Sequence, residues 1–259
     1  VTKNNIAASL IFVQVKLIKM KLTNNKILIT GGASGIGLGL TERFIKEHNK
    51  VIICGRRKST LDSVSSKYPE VITKACDLTI ERERGELYEW ILKNHPDLNV
   101  LVNNAGIQNW MKITDPDFME RTKTEIITNI EAPVHLTALF LKLKTLDTII
   151  NVTSGLSFVP LTKTPVYSAT KAYFHSFTLS LQYLLKERNV EVIEMIPPAL
   201  NTDLGGKGLH DSAPPVSAFI EAVFNQLKEG KTELTFGFSE AMVKAGPEEI
   251  KNAFNRLNP

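Results

Sequence analysis

The chain has 259 residues, 43% hydrophobic and 22% charged, with a formal net charge of +4. That is enough for one sizeable core, and no internal repeat, low-complexity tract or domain linker interrupts it. The basic residues are dispersed rather than gathered into a stripe, so nothing points to a nucleic-acid partner. The two cysteines, Cys54 and Cys76, read as buried thiols of a reducing cytoplasmic setting rather than a disulfide framework.

In chain order, residues 1–19 stand apart. The run from Ile6 to Val15 is mainly apolar but too short to span a membrane. Lys16, Lys19 and Lys21 follow it instead of preceding it, as a signal peptide would require. The expectation is an N-terminal extension over 1–19, outside the fold and without part in catalysis, and a single domain over 20–259.

Lys26-Ile27-Leu28-Ile29-Thr30 reads as a buried parallel strand. Gly31-Gly32-Ala33-Ser34-Gly35-Ile36-Gly37 follows, and residues 38–47 read as a helix with apolar Leu38, Leu40, Phe44 and Ile45. A glycine turn by itself often only ends a strand. Between a strand and a helix, however, it is the context that a dinucleotide pyrophosphate requires: a tight turn, close backbone approach and free helix N–H groups. Val51-Ile52-Ile53-Cys54 is the second strand. An NAD site places an acidic residue after it for the ribose 2′-hydroxyl, whereas Gly55, Arg56, Arg57 and Lys58 stand here. Glycine leaves room for a 2′-phosphate, and a guanidinium grips one through two parallel hydrogen bonds. The basic turn also fits a plain helix start, but it predicts NADP(H), with NAD(H) as the alternative.

A third strand over 71–75 precedes Asp77 and Leu78, and a fourth over 100–102 precedes Asn103-Asn104-Ala105-Gly106. A long helix over 118–144 contains Asn129, a fifth strand over 148–152 leads to Ser154, a helix over 166–187 carries Tyr167 and Lys171, and a sixth strand covers 190–195. Strands alternating with helices predict an α/β fold: one Rossmann-type doubly wound parallel sheet with helices on both faces. Ligands of such a sheet gather at the carboxyl ends of the strands. Tyr167 and Lys171, four apart, share a helix face. A free tyrosine, with a pKa of about 10, is a poor acid or base at neutral pH. A cation at about 4 Å supplies roughly 4 kcal/mol toward lowering it, so Lys171 is expected to make Tyr167 a working acid/base. Taken alone, the spacing is more often that of an ordinary surface pair.

Together, Thr30-Gly31-(x3)-Gly35-Ile36-Gly37, Asp77-Leu78, Asn103-Asn104-Ala105-Gly106, Asn129, Ser154 and Tyr167-(x3)-Lys171 resemble the short-chain dehydrogenase/reductase family over residues 21–235. Residues 21–25, 87–90, 132–136 and 190–195 resemble one narrower group within it. The resemblance implies hydride transfer between a nicotinamide and a small-molecule carbonyl or alcohol carbon. Asn129, Ser154, Tyr167 and Lys171 would be catalytic, Ser154 holding the substrate oxygen and Asn129 anchoring a water in a relay to Lys171. It implies cofactor contacts at Gly31, Ser34, Gly35, Ile36, Gly37, Arg56, Arg57, Asp77, Leu78, Asn104, Ala105, Gly106, Tyr167, Lys171, Leu200 and Thr202, with Arg56 ahead of Arg57 on the phosphate. Pro198 stands where the family usually has glycine. Residues 205–215 lie where a substrate lid would be, expected to be mobile until a ligand binds. A homodimer or homotetramer is implied through the two long helices, near Phe140, Leu141 and Leu143.

Trp110 fits either the pocket or the core. His135, His175 and His210 make no metal-like spacing, so no metal is expected. A non-catalytic dinucleotide sensor or scaffold would share the fold but has no need of all four catalytic residue types. An epimerase or dehydratase is disfavoured by the lack of a large C-terminal substrate domain.

Overall fold

The computed structural model describes residues 19–259. Strands β1 (Lys26–Thr30), β2 (Lys50–Gly55), β3 (Ile72–Ala75), β4 (Val100–Asn103), β5 (Thr148–Val152), β6 (Glu191–Ile196) and β7 (Glu233–Thr235) form one parallel sheet in the order β3-β2-β1-β4-β5-β6-β7. Order reverses between β1 and β4, which pair directly from Ile27↔Val100 to Ile29↔Val102. The crevice at that switch point is where a ligand sits in such a sheet.

The central strands are continuous apolar runs because both faces are covered. Ile27, Ile29, Val51 and Ile53 pack beneath α1 (Gly35–Lys46) and α7 (Val216–Glu229), with Leu40, Phe44, Phe219 and Phe224. The alternate residues Leu28, Ile52, Leu101 and Ile149 face the other layer, which includes α3 (Glu81–Asn94). α2 (Lys58–Lys67) links β2 to β3. The long helix expected over 118–144 is three pieces: α4 (Phe118–Ile126), a π turn (Ile127–Glu131) and α5 (Ala132–Phe140). α6 (Pro165–Leu184) begins at a proline suited to a first helical turn. α8 (Phe238–Val243) and α9 (Pro247–Leu257) pack a small satellite core around Val159, Met242 and Ala253.

One expectation is corrected. Phe140 and Leu143 are buried in the core and Leu141 packs against it, so they are not an interface face. The exposed apolar side chains on α4 and α6 are instead Met119, Ile126, Tyr173, Leu179, Tyr183 and Leu184. β7 was not foreseen. The extension expected over 1–19 lies, except for Lys19, outside the described residues, and Lys19 Nζ donates to Lys228 O at 3.2 Å. Met20 is buried, with its N–H on Glu191 at 2.6 Å. Cys54 and Cys76 are free, buried thiols, as expected. Among the described residues, no helix is long and apolar enough to cross a membrane.

β6 carries a buried carboxyl group. Glu194 accepts from Thr153 Oγ1 at 2.7 Å and pairs with His175 Nδ1 at 2.9 Å. That hydrogen bond raises the His175 pKa against the opposing effect of burial. A raised histidine contributes stability below its unfolded value of about 6.5, and the contribution is lost as pH rises through the folded value. The protein should therefore lose thermal stability between about pH 6 and about pH 8. His175→Ala should cost about 3 kcal/mol at the lower pH by stranding Glu194. Unfolding curves of wild type and His175→Ala at both pH values check this, and a wild-type stability independent of pH would contradict it.

Candidate active site

The glycine turn leaves β1 with Gly31 at φ +64° and Gly35 at φ +51°, backbone that side chains resist. A Cβ on Gly37 would lie 2.2 Å from Gly31 O, so α1 starts in near contact with the strand end. β4 closes the turn from the side. Asn104 Nδ2 donates to Thr30 O at 2.8 Å, and Thr30 Oγ1 accepts from the N–H groups of both Asn104 and Ala105 at 3.0 Å. Gly31, Ile36, Gly37, Asn104, Ala105 and Gly106 thus form one cradle at the switch point, with Ser34 exposed as the residue before α1.

At the far end of the crevice, Arg56 and Arg57 are both exposed past β2, and the space off Gly55 meets only Leu61 at 3.9 Å. Leu78 is buried, and one Asp77 oxygen accepts from the Thr79 N–H at 2.9 Å and hydroxyl at 2.7 Å. Asp77 therefore shapes its own turn while Leu78 offers an apolar wall.

Asn129 lies in the π turn. Its Oδ1 accepts from Ile107 N at 2.9 Å, and its Nδ2 donates to Ile107 O at 2.8 Å and Thr170 Oγ1 at 3.1 Å. The side chain is thereby committed to holding the loop after β4 against α6. A Cβ on Gly106 would lie 3.3 Å from Asn129 Oδ1 and 3.7 Å from Lys171 Nζ, which places Asn129 and Lys171 around the same gap.

Ser154 caps a short 3-10 turn after β5, its Oγ accepting from Leu156 N at 3.1 Å. Tyr167 and Lys171 are buried on one face of α6. Burial pushes the Tyr167 phenol above its ordinary value, and the nearby Ser154 hydroxyl opposes that rise. Burial lowers Lys171 to about 8. Lys171 Nζ donates to Val152 O at 2.8 Å and stands 5.7 Å from the Tyr167 ring centre. Among the influences that shift the phenol, burial is the largest and Lys171 is not one of them.

Ser154 and Tyr167 open onto a cavity of about 400 Å³. Its walls include Leu156, Leu161, Leu204, Phe236, Phe238 and Leu257. Leu200 and Thr202 line it beside Ile36, and Thr202 Cγ2 comes within 3.4 Å of the Cβ position of Gly35. The segment expected as a lid is seated over the cavity. Asn201 N bonds Pro214 O at 2.9 Å, and Leu204, His210, Ala213 and Pro214 face inward. Trp110 is neither core nor lining; it is exposed, with its indole N 3.0 Å from the Cβ position of Gly205.

Sequence reasoning missed three contributors. Gln108 lines the cavity, α9 supplies a wall through Leu257, and Glu125 lies fully buried on α4. Asn258 pins the end of α9 by donating to Pro160 O at 3.0 Å and accepting from Thr162 N at 2.6 Å. An acidic residue inside a helix carries no signal of burial, and Leu257 lies too far along the chain for any motif. Among the described residues, no group of three or more His, Cys, Asp or Glu could hold a metal ion.

A family model for short chain dehydrogenases matches residues 25–212. The chain is similar to the uncharacterized oxidoreductase DltE of Bacillus subtilis (strain 168), 43% identical over 250 residues, which are 92% of this chain and 98% of that protein. That likeness accounts for the narrower resemblance at residues 21–25, 87–90, 132–136 and 190–195. Its fold is that of a short chain dehydrogenase from Burkholderia cenocepacia J2315 in complex with NADP, with a TM-score of 0.79 at 23% identity, covering 92% of this chain and 99% of that one. A short chain dehydrogenase/reductase from Burkholderia phymatum in complex with NAD has a TM-score of 0.77 at 17% identity, covering 93% and 99%.

The cradle yields a test independent of chemistry. Gly37→Ala drives a methyl into the Gly31 carbonyl, which backbone cannot evade cheaply. It should cost about 1–3 kcal/mol as overpacking and weaken dinucleotide binding together with stability. Denaturant unfolding and a binding titration of the variant check this, and wild-type values in both would refute the close approach.

Proposed function

The chain belongs to the short-chain dehydrogenase family and is an oxidoreductase, and we propose that it interconverts a carbonyl and an alcohol on a small uncharged molecule with NADP(H). When bound, the nicotinamide supplies or accepts the hydride. The cradle fits a dinucleotide because its glycines leave the space that side chains would fill. Gly31, Ser34, Gly35, Ile36 and Gly37 would hold the pyrophosphate, Asp77, Leu78, Asn104, Ala105 and Gly106 the adenosine side, and Leu200 and Thr202 the carboxamide.

One observation carries the reading: a serine hydroxyl and a buried tyrosine share an apolar cavity, with a buried lysine one turn behind. Tyr167 donates its proton to the carbonyl oxygen during reduction and takes it back during oxidation, the role of a positioned general acid/base. Ser154 orients that oxygen. Lys171 serves the ribose and the proton path. Asn129 holds α6 and the loop after β4 in register. No lysine or arginine is among the cavity-lining residues. A substrate carboxylate there would meet no lysine or arginine, and burying a charge without such a partner is costly, so the favoured substrates are uncharged carbonyls with an apolar body.

Tyr167→Phe should lower turnover on any accepted carbonyl by a factor of about 100 or more, with NADP(H) affinity largely kept. A panel of uncharged and carboxylate-bearing ketones, followed by reduced-nicotinamide absorbance, tests both points. Near-normal turnover in Tyr167→Phe would sink the mechanism.

Cofactor choice rests on the turn after β2. Arg56 and Arg57 are exposed with open space off Gly55. A preference for NADP(H) of about tenfold asks for about 1.4 kcal/mol, less than one charge-assisted hydrogen bond supplies. Arg56→Ala should weaken NADPH selectively and leave NADH almost unchanged, as read by fluorescence titration. Equal wild-type affinity for the two would remove the preference.

A further inference from the structure

The cavity that Ser154 and Tyr167 share contains a polar side chain that proton transfer does not use. Gln108 lines it among apolar walls and is 8% exposed. Its Oε1 is buried and has no hydrogen-bond partner among the described residues. A buried acceptor left unpaired is a standing loss, and native structures contain few of them. Loose packing does not account for this one, because the residues on either side of Gln108 are pinned. Ile107 N–H and C=O both bond the Asn129 amide, at 2.9 Å and 2.8 Å, and Asn109 N donates to the buried Glu125 at 3.1 Å. The backbone of Gln108 is thus held from both sides by α4 and the π turn that follows it.

The loop seated over the cavity comes down on the same group. Gly205 has φ +81°, and a Cβ there would stand 2.8 Å from Gln108 Oε1 and 3.0 Å from Trp110 Nε1. Any other residue would press on the carboxamide or the indole, so glycine lets the loop backbone rest on Gln108. Leu204, beside Gly205, lines the cavity together with Gln108. The unpaired oxygen therefore sits where this loop meets the loop after β4.

The rest of the lining narrows what satisfies Oε1. A lone acceptor needs a donor. A substrate ammonium is a poor one, since no aspartate or glutamate lines the cavity and a buried charge without a partner is costly. A neutral hydroxyl brings a proton without that cost. We propose that Gln108 is a specificity-determining residue whose carboxamide oxygen accepts a hydrogen bond from a second, non-reacting hydroxyl of the substrate. The preferred substrates are then hydroxylated, uncharged carbonyl compounds rather than plain hydrocarbon ketones. The inference rests on the carbonyl reading of the same cavity and narrows it. Discrimination of this kind is strong because an analogue without the hydroxyl leaves the buried acceptor unpaired.

The test uses acetophenone and benzylacetone, each beside its meta- and para-hydroxy derivatives and the matching methyl ethers, which have no proton to donate. Dissociation constants are measured on the enzyme–NADP+ complex, which cannot reduce a ketone, and kcat/KM is measured separately with NADPH. In the wild type, at least one hydroxy compound should bind about tenfold or more tighter than both its parent and its ether. The same order is expected in kcat/KM. In Gln108→Leu the preference should disappear. A wild type that favours no hydroxy compound over its parent and ether overturns the proposal, as does a preference that Gln108→Leu retains. Should that variant not fold, Gln108→Asn withdraws the carboxamide by one methylene; a reduced preference supports the assignment and a full one refutes it. A hydroxyl preference in binding without turnover of any ketone would strike the carbonyl reading instead and leave the role of Gln108 standing.

Discussion

The arrangement of the site depends on one side-chain amide. Asn129 satisfies both backbone groups of Ile107 and reaches across to Thr170. Ile107 follows the Ala105-Gly106 stretch of the cradle, and Thr170 lies between Tyr167 and Lys171. Three hydrogen bonds of one residue therefore tie the glycine cradle to the stretch of α6 that carries Tyr167 and Lys171. Loss of the amide would leave a partly buried N–H and C=O unpaired, at about 1–3 kcal/mol each. The π turn lets a single asparagine do this. Its wider turn interrupts the regular ladder at the place where the helix must present a polar group inward.

Burial dominates the electrostatics that follow from this packing. A lysine four residues after a tyrosine promises a lowered phenol, and the simple Coulomb estimate assumed direct approach. Instead, Lys171 spends a hydrogen bond on Val152 O, and desolvation acts on both groups. Low dielectric disfavours each charged form, tyrosinate and ammonium alike. The outcome is a phenol shifted toward its neutral form and a lysine brought down to about 8. Spacing on a helix tells which groups meet; it does not tell how far water has been removed from between them.

That distinction explains how much was legible beforehand. Six strands, the glycine cradle and the four-residue constellation were readable because buried parallel strands are unbroken apolar runs and tight turns demand glycine. β7 was not, because Glu233-Leu234-Thr235 is three residues long with one apolar side chain. The π turn was hidden inside Ile126-Ile127-Thr128-Asn129-Ile130, which matches a continuous helix. Phe140 and Leu143 looked like an interface because apolar residues near a helix end carry no mark of which way they face; the packing of α5 on Tyr88 and the sheet decides it. The walls of the cavity come from α8 and α9 and the preceding loop, distant in sequence and joined only in space.

Under the proposed function, the hydrogen-bond capacities within that cavity dictate how a substrate oxygen would be held. Ser154 has one O–H to donate and two lone pairs to accept with. One lone pair is taken by Leu156 N–H, so the hydroxyl is held against the cavity wall with its proton still available. Tyr167 carries a second O–H on the adjacent helix. Two hydroxyl donors in a cavity lined by no lysine or arginine would suit a neutral carbonyl oxygen, and would tighten as charge develops on it where the surrounding Leu and Phe walls exclude water. The apolar lining therefore does more than admit an apolar body: it makes two ordinary hydroxyls worth more to the developing oxyanion than they would be in solvent.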